Sequence, residues 1–295
     1  MPNGGSSSTS LVKQVSYIPP KWPLPAEVKW IEVNGYPMAY QDHGSGVPLV
    51  LVHGSFSDYR VWPDQIDPFS KKHRTINVSL RHYFPEIWDG VGNDFSCAQH
   101  ANDVCVFIQK LGLGKVHLLG HSRGGVVVIE VAKRHPDLIR TLILEDPSVR
   151  LELPETEENL KATAFRTNLF ADLRKAVAAG DTEGGTERFM DRLIGPKFWE
   201  NLPTKRRMEM LQNIWTALVD DPLPLTTDED LQKFSFPVLI LTGEMSPPMY
   251  RILIAEMRKR ANFPPPVIIS GAGHGMNVQN PKAFNEAVLR FTSEH

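Results

Sequence analysis

Residues 115–135 read KVHLLGHSRGGVVVIEVAKRH, and this stretch decides the fold of the chain. An apolar run leads into the pentapeptide GHSRG at 120–124, and a helix-like segment follows it without a gap. Such an order is that of a strand, a sharp turn and a helix, with the central serine exposed on a strained backbone. Glycines two residues before and after the serine let the helix pack close to the strand. Amide groups at the helix N-terminus favour negative charge, so we predict Ser122 as a nucleophile.

A second candidate side chain lies near the C-terminus. Residues 266–276 read PVIISGAGHGM, a short apolar strand that runs into a histidine between two glycines, and a helix-like stretch follows. Among the ten histidines of the chain, His274 alone combines a place after the nucleophile, the end of an apolar strand and flanking glycines. An imidazole titrates near neutral pH and can take a proton from a hydroxyl. We therefore predict His274 as the general base for Ser122.

These segments together resemble the α/β-hydrolase fold superfamily over nearly all of residues 28–295, and within it the serine esterases and lactonases with a helical cap. The predicted order of serine, acid and histidine along the chain is that of the family. The resemblance implies an eight-stranded, mostly parallel sheet with helices on both faces and a site at the carboxyl ends of the strands. It also implies an oxyanion hole formed by two backbone amides, those of Ser55 and Arg123.

The triad acid departs from the usual pattern of the family. In most relatives an aspartate follows the seventh strand, but here the strand at 236–242 leads to Ser246 at that position. Asp146, at the end of the sixth strand, matches the acid position of a minority of relatives, among them some haloalkane dehalogenases and the zearalenone lactonases. Glu145 is its neighbour, and alternation along a strand sends the two side chains to opposite sides. We predict Asp146 as the acid, with Glu244 and Glu145 as the alternatives.

Apolar patterning predicts the secondary structure on either side of these motifs. The strands are predicted at 28–34, 37–42, 48–53, 74–80, 115–120, 139–146, 236–242 and 266–270. The helices are predicted at 95–111, 123–135, 249–261 and 281–292, with a weaker signal at 59–70. The first two strands meet at Asn34-Gly35 and are predicted to form a hairpin.

The alternation of strands and helices stops between residues 148 and 225, where the pattern is helical throughout. The family carries its cap at this point, and a cap buries apolar substrate and excludes water. The predicted domains are a tail and arm at 1–27, a core at 28–147 and 226–295, and a cap at 148–225. The cap helices are predicted at 157–170, 170–179, 185–194, 197–202 and 204–218, with a flexible link at 180–185. The candidate substrate-binding residues are Phe165, Trp199, Trp215 and Met245.

Two further features have more than one interpretation. The loop at 81–89 is rich in aromatic residues, and it either forms a rim on the pocket or packs on the second helix of the core. Arg123 stands where many relatives carry an apolar side chain. Its guanidinium either binds a substrate carboxylate or pairs with Glu145, Glu244 or Glu130.

Composition limits the classes of protein that fit. The chain has 295 residues, 41% of them hydrophobic, and a net charge of −2, which is typical of a soluble globular protein and not of one that binds nucleic acid or anionic membranes. No window approaches the ~20 apolar residues of a membrane span, and the first residues lack the regions of a signal peptide. Cys97 and Cys105 lie too far apart on one predicted helix to form a disulfide. We expect a cytoplasmic protein with no metal, no other cofactor and no nucleic-acid partner.

These observations predict a cofactor-independent serine hydrolase that cleaves a small apolar ester or lactone. An aspartate nucleophile would have indicated a dehalogenase or an epoxide hydrolase instead. In relatives the same triad also supports carbon–carbon bond hydrolysis, perhydrolysis and hydroxynitrile cleavage. A ligand receptor with little turnover is the alternative from another class. Because a fold does not fix a function, the motifs leave these alternatives open, and they leave open whether the chain forms a homodimer.

Overall fold

The computed structural model describes residues 27–219 and 221–295. Its centre is an eight-stranded sheet in the order β1-β2-β4-β3-β5-β6-β7-β8. The strands are β1 (Lys29–Val33), β2 (Tyr36–His43), β3 (Pro48–Val52), β4 (Arg74–Val78), β5 (Val116–His121), β6 (Ile139–Glu145), β7 (Val238–Gly243) and β8 (Val267–Ile269). All eight predicted strands are confirmed within a few residues at each end. The predicted tail and arm, apart from Glu27, lie outside the described residues.

The sheet is parallel from β4 through β8, while β1 and β2 form an antiparallel hairpin at its edge. The central strands are apolar runs buried on both faces, which is the pattern of a parallel sheet covered by helices. Because these strands are parallel, the loops that follow β3, β5, β6, β7 and β8 all lie along one edge. The predicted residues Ser55, Ser122, Asp146 and His274 follow β3, β5, β6 and β8 at this edge.

Helices cover both faces of the sheet. Those of the core are α1 (Pro63–Ser70), α2 (Cys97–Lys110) and α3 (Arg123–Arg134). Those between β6 and β7 are α4 (Glu157–Ala178), α5 (Thr182–Leu193), α6 (Phe198–Asn201), α7 (Thr204–Gln212), α8 (Trp215–Leu218) and α9 (Asp228–Gln232), and those after β7 are α10 (Pro248–Arg260), α11 (Met276–Gln279) and α12 (Pro281–Ser293). One buried cluster joins α2, α3 and α10 to one face of the sheet, and a second joins α1 and α12 to the other.

Helices α4 to α8 form an all-helical segment, here called the insert (residues 150–225). At its base, an isolated β-bridge joins Arg150 to Leu225. The amide of Thr226 donates a 2.9 Å hydrogen bond to the carbonyl of Arg150. The insert has a hydrophobic cluster of its own, which Phe56 of the core joins through a ring contact with Phe189 at 5.0 Å. Within the described residues, no helix combines the length and the apolar character needed to cross a bilayer.

The insert corrects three predictions about its helices, one of which is that the single helix predicted at 204–218 is two, α7 and α8. Helix α4 is one continuous helix where two were predicted, since the 22 residues of Glu157–Ala178 contain no glycine or proline to end it. The predicted flexible link at 180–185 is wrong, because α5 begins at Thr182. Gly185 instead allows close packing of two helices, since a Cβ there would lie 2.7 Å from that of Ala176.

Candidate active site

Ser122 occupies the turn between β5 and α3, with φ 54° and ψ −115°. This is a left-handed conformation that a residue with a side chain rarely adopts, and strain of this kind accumulates at functional sites. The two glycines around it are required by packing: a Cβ on Gly120 would collide with the carbonyl of Gly124, and one on Gly124 with the carbonyl of Val52. The sequence motif therefore forms the elbow that it predicted.

Asp146 and His274 meet beside this elbow. His274 Nδ1 lies 3.2 Å from Asp146 Oδ2, and both side chains are at most 2% exposed. Asp146 follows β6 and His274 follows β8, so the parallel sheet brings together two residues 128 positions apart. A carboxylate in this position fixes the tautomer of the imidazole and stabilises its charged form.

Neither alternative acid reaches His274. Glu145 is fully buried on the opposite side of β6, where its Oε1 accepts a 3.3 Å hydrogen bond from the amide of Asn277. Burial raises the pKa of Glu145 well above its usual value, which favours the neutral acid. Glu244 is exposed and accepts hydrogen bonds from Ser270 Oγ and from the amide of Gly271.

Ser246, at the position where the resemblance places an acid in most relatives, contacts Asp146 directly. Its hydroxyl donates a 2.5 Å hydrogen bond to Asp146 Oδ2 and accepts one of 3.0 Å from the amide of Gly243. The loop after β7 thus supports a carboxylate supplied by the neighbouring strand. The sequence showed only that Ser246 lacks the charge of an acid, not that it binds one.

The other imidazole nitrogen faces a tyrosine. His274 Nε2 lies 3.2 Å from the hydroxyl of Tyr250, and the two rings stack with centroids 4.3 Å apart. Ser122 Oγ lies 3.3 Å from the hydroxyl of Ser148. Burial raises the pKa of Tyr250, while its hydrogen bonds to the Ser148 and Ser122 hydroxyls act in the opposite direction. Among the described residues, the Tyr250 hydroxyl is therefore the group within hydrogen-bond distance of Nε2.

The two predicted oxyanion donors border the same space. Ser55 follows β3, Arg123 opens α3, and both residues line the cavity that contains Ser122. Neither backbone amide has a hydrogen-bond acceptor among residues 27–219 and 221–295. Both amides can therefore donate a hydrogen bond to a group bound in the cavity, as the predicted oxyanion role requires.

The side chain of Arg123 makes a buried ion pair. Its Nη2 lies 2.5 Å from Asp221 Oδ2, with both side chains under 10% exposed, and its guanidinium lies 4.5 Å from the ring centre of Phe95. The interpretation as an ion pair is confirmed, but the predicted partners are wrong. Asp221 is 98 residues away in sequence, so no local pattern could have indicated it.

The cavity above Ser122 has a volume of about 220 Å³. The core contributes Ser55, Ser122, Tyr250 and His274, while the insert contributes most of the remaining lining. That lining is mixed, with apolar side chains such as Leu169 and Phe170 beside arginines. The volume lies below the ~300–1,000 Å³ of common ligand pockets, so it suits a small molecule.

Known proteins resemble this chain in sequence and in fold. Residues 49–287 match the model of the alpha/beta hydrolase family. The chain belongs to this family. In sequence it is 24% identical over 285 residues to carboxylesterase YbfK of Bacillus subtilis, covering 92% of this chain and 89% of that one. It is 23% identical over 257 residues to (E)-2-((N-methylformamido)methylene)succinate hydrolase of Acinetobacter baylyi, covering 84% and 91%.

Solved structures of the same fold resemble this α/β hydrolase over most of its length. A thermophilic esterase from Thermogutta terrifontis, solved with malate bound, superimposes with a TM-score of 0.71 at 25% identity, covering 91% of this chain and 99% of that one. The structure of carboxylesterase YbfK, at 18% identity, superimposes with a TM-score of 0.72 over 93% and 94%. The predicted superfamily and fold are confirmed.

The four substrate-binding candidates are corrected, because none of them lines the cavity of this α/β hydrolase. Trp199 is 2% exposed inside the hydrophobic cluster of the insert, and Phe165 packs on that cluster near Arg192. Trp215 lies against Gly90, where a Cβ would meet its ring at 2.6 Å. Met245 is 59% exposed. Large apolar residues on a helix indicate a buried face, but not what that face is buried against.

The aromatic loop at 81–89 packs against the core instead of forming a rim. Tyr83 is buried edge-on against His53, with ring centres 4.5 Å apart, and no residue of the loop lines the cavity. His82 stacks on Trp88 at 4.4 Å. The amide of Phe84 donates a 2.8 Å hydrogen bond to Asn213 of the insert, so the loop also holds the insert in place.

Among the cavity residues of this α/β hydrolase that sequence reasoning missed are Tyr250, Ser148 and Arg166. Tyr250 and Ser148 follow β7 and β6 closely, so their nearness to strand ends was a usable signal. Arg166 falls in the buried stripe of α4, one helical turn from Ala162 and from Leu169. A charged residue within an apolar stripe was the signal that could have found it.

Proposed function

We propose that this α/β hydrolase cleaves carboxylic esters through an acyl-enzyme formed on Ser122. The observation that carries the proposal is the arrangement of Ser122 on a strained elbow, in one cavity with a histidine that contacts a buried aspartate. Esterases among the similar proteins support the same reaction class. A lactone is an internal ester, so the same chemistry applies to it.

In the proposed reaction, Ser122 Oγ attacks the carbonyl carbon while its proton passes to His274 Nε2. The amides of Ser55 and Arg123 hold the resulting oxyanion, and one such donor contributes about 2.7–4 kcal/mol to the transition state. Collapse expels the alcohol, which takes the proton from Nε2 and leaves an acyl group on Oγ. Water then attacks with His274 as base, releasing the acid and the free serine.

Before the first step, His274 Nε2 must exchange one partner for another. In this structure it faces the Tyr250 hydroxyl, and Oγ of Ser122 faces Ser148. Catalytic hydrogen bonds commonly tighten only when substrate binds. A rotation of the Ser122 side chain from Ser148 towards Nε2 is the adjustment that the mechanism requires.

We propose further that residues 148–225 serve as the cap of this enzyme. The insert supplies most of the cavity lining and is held at its base by the Arg150–Leu225 bridge. A cover of this kind excludes water from the site and selects the substrate by shape.

The test is hydrolysis of 4-nitrophenyl acetate, butyrate and octanoate and of a five- and a six-membered lactone, by the wild type and by Ser122→Ala. We expect turnover of at least one ester by the wild type and a loss of about 10³-fold or more in Ser122→Ala, because the nucleophile is removed. A fluorophosphonate probe should label the wild type on Ser122 and leave the variant unlabelled.

Ser57→Ala is the control, since this serine also lines the cavity but has no part in the proposed reaction. Equal rates for the wild type and Ser122→Ala would refute the mechanism. No turnover and no labelling of the wild type would favour a ligand receptor, and turnover of a vinylogous diketone without ester hydrolysis would favour a carbon–carbon bond hydrolase.

A further inference from the structure

The arginines of the cavity differ in how their charge is balanced. Arg123 is neutralised by Asp221 at 2.5 Å. Arg174 donates a 3.0 Å hydrogen bond from Nε to the carbonyl of Leu218, and its side chain is not without other partners. Arg166, which lines the same cavity as Ser122, makes no ion pair and no hydrogen bond with any residue of 27–219 or 221–295. The guanidinium carbon lies 5.4 Å from the centre of the Phe170 ring.

The position of Arg166 makes an unbalanced charge costly. It is partly buried and belongs to the inward-facing stripe of α4, between Ala162 and Leu169. Burial lowers the pKa of Arg166 overall, and the charge of Arg123 acts in the same direction, while Tyr250, Cys97 and Asp221 act in the opposite one. Even so, a guanidinium stays protonated at neutral pH. Charged groups withdrawn from water are normally paired.

A carboxylate would balance the charge of Arg166 and accept its hydrogen bonds. Guanidinium groups bind carboxylates through two parallel hydrogen bonds, and such charge-assisted bonds are about twice as strong as neutral ones. Leu169 and Phe170 adjoin Arg166 in the lining, so an apolar chain can occupy the cavity next to the charge. The same cavity contains Ser122 and His274.

We propose that the cavity binds esters that carry a free carboxylate, and that Arg166 pairs with that carboxylate while Ser122 attacks the ester carbonyl. This proposal rests on the proposed ester hydrolysis and narrows its substrate class to monoanionic esters. Arg166 is then the residue that determines specificity, and it takes no part in bond cleavage.

The kinetic test compares anionic and neutral esters of similar size. Mono-4-nitrophenyl glutarate carries its carboxylate on the acyl side, and 4-butyryloxybenzoate carries it on the leaving group. Their neutral counterparts are 4-nitrophenyl pentanoate and methyl 4-butyryloxybenzoate. We expect kcat/KM for at least one anionic ester to exceed that of its counterpart by about 10- to 100-fold. The preferred member shows which side of the ester carries the charge.

Arg166→Met should remove this preference by lowering kcat/KM for the anionic ester to about that of its neutral counterpart. Arg166→Lys should retain part of it, because the charge stays but the paired hydrogen bonds are lost. Lys175→Gln is the matched control: it removes one positive charge from the same helix at an exposed position outside the cavity. A purely structural role for Arg166 would instead lower the melting temperature and affect all esters equally, which would overturn the proposal.

A binding measurement separates this proposal from the proposed catalysis. Glutarate is titrated calorimetrically into Ser122→Ala, with and without Arg166→Met. Binding that requires Arg166 supports the carboxylate site even if no ester is turned over, in which case only the proposed function fails. Ester turnover without glutarate binding and without preference for anionic esters overturns the carboxylate site alone.

Discussion

Asp146 accepts a hydrogen bond on the oxygen that also faces the histidine. Its Oδ2 lies 3.2 Å from His274 Nδ1 and 2.5 Å from Ser246 Oγ, while Oδ1 is buried without a recorded partner in the described part of the chain. The backbone of Asp146 has φ 38°, another left-handed conformation at this edge of the sheet. The position of this oxygen is set by its contacts with Ser246 and His274.

We predict that Asp146→Asn lowers kcat by about 10³- to 10⁴-fold, because an amide neither stabilises the imidazolium nor holds the productive tautomer. Glu244→Gln is the control and should change kcat by less than twofold, since this carboxylate is exposed and bonded away from the site. Steady-state kinetics on the best ester from the screen measures both.

A double variant makes this test sharper. In Asp146→Asn with Ser246→Asp, the new carboxylate starts from a side chain already 2.5 Å from the original acid oxygen. It should recover a measurable part of the lost rate. The opposite pattern, with Glu244→Gln inactive and Asp146→Asn active, would place the acid after the seventh strand.

At the scale of elements, the N-terminus of α3 is tied to the end of the insert by one buried ion pair. Asp221 accepts hydrogen bonds from Arg123 and, at 3.2 Å, from the amide of Cys97 at the start of α2. Three separate parts of the chain therefore meet at one carboxylate. Breaking such a pair from one side leaves a buried charge without a partner, whereas replacing both partners is often nearly neutral.

We predict that Asp221→Asn lowers the free energy of unfolding by about 3 kcal/mol. Adding Arg123→Met should restore most of the loss, because no unpaired guanidinium then remains. Asp172→Asn breaks the exposed pair with Arg192 and should cost less than about 1 kcal/mol. Urea unfolding of the four proteins measures the differences, and equal costs for the two aspartates would contradict the prediction.

The elements of the core could be predicted from sequence because their signals are local. Apolar runs bounded by turns gave all eight strands, and the elbow fixed the start of α3 at Arg123. What failed depends on contacts between distant segments. Packing between distant segments determines the partner of Arg123 and the surroundings of Trp199 and Trp215. Helical periodicity predicts that a side chain is buried, but not which segment it contacts.

At the scale of the whole molecule, most of the buried histidines resist protonation. Burial lowers the pKa of His53 and of His117 from 6.5 to about 4, and it also lowers those of three others, His73, His100 and His121. His82 is the opposite case: burial acts to lower its pKa, but hydrogen bonds to Glu86 and Asp94 raise it overall. The unfolded chain thus binds protons that the folded one does not.

The pH dependence follows from the sign of these shifts. Stability from a histidine with a lowered pKa is complete above pH 6.5 and is lost as the pH falls towards 4, whereas that from His82 is lost as the pH rises through its raised pKa. More histidines have a lowered pKa than a raised one, so we predict that the free energy of unfolding decreases as the pH falls from 6.5 to 4. His53 and His117 each contribute on the order of 3 kcal/mol over this range.

Urea unfolding at half-unit steps of pH checks this, and His117→Gln should reduce the slope by up to about 1.4 kcal/mol per pH unit. His135→Gln, at an exposed position, serves as the control. A stability that stays constant or rises on acidification to pH 4.5 would contradict the assignment of these histidines as neutral in the folded protein.

The hydrogen bond between Ser246 and Asp146 also has an evolutionary consequence. It joins the position after β7, where most relatives carry the acid, to the position after β6. Ser246 Oγ lies against the same Asp146 oxygen that faces the histidine, so aspartate at both positions would put like charges in contact. Such an ancestor would remain functional if the pair shared one proton, since one carboxylate would still be ionised. Loss of either aspartate would then leave an active enzyme, and a serine at the abandoned position would keep a hydrogen bond to the one that stayed.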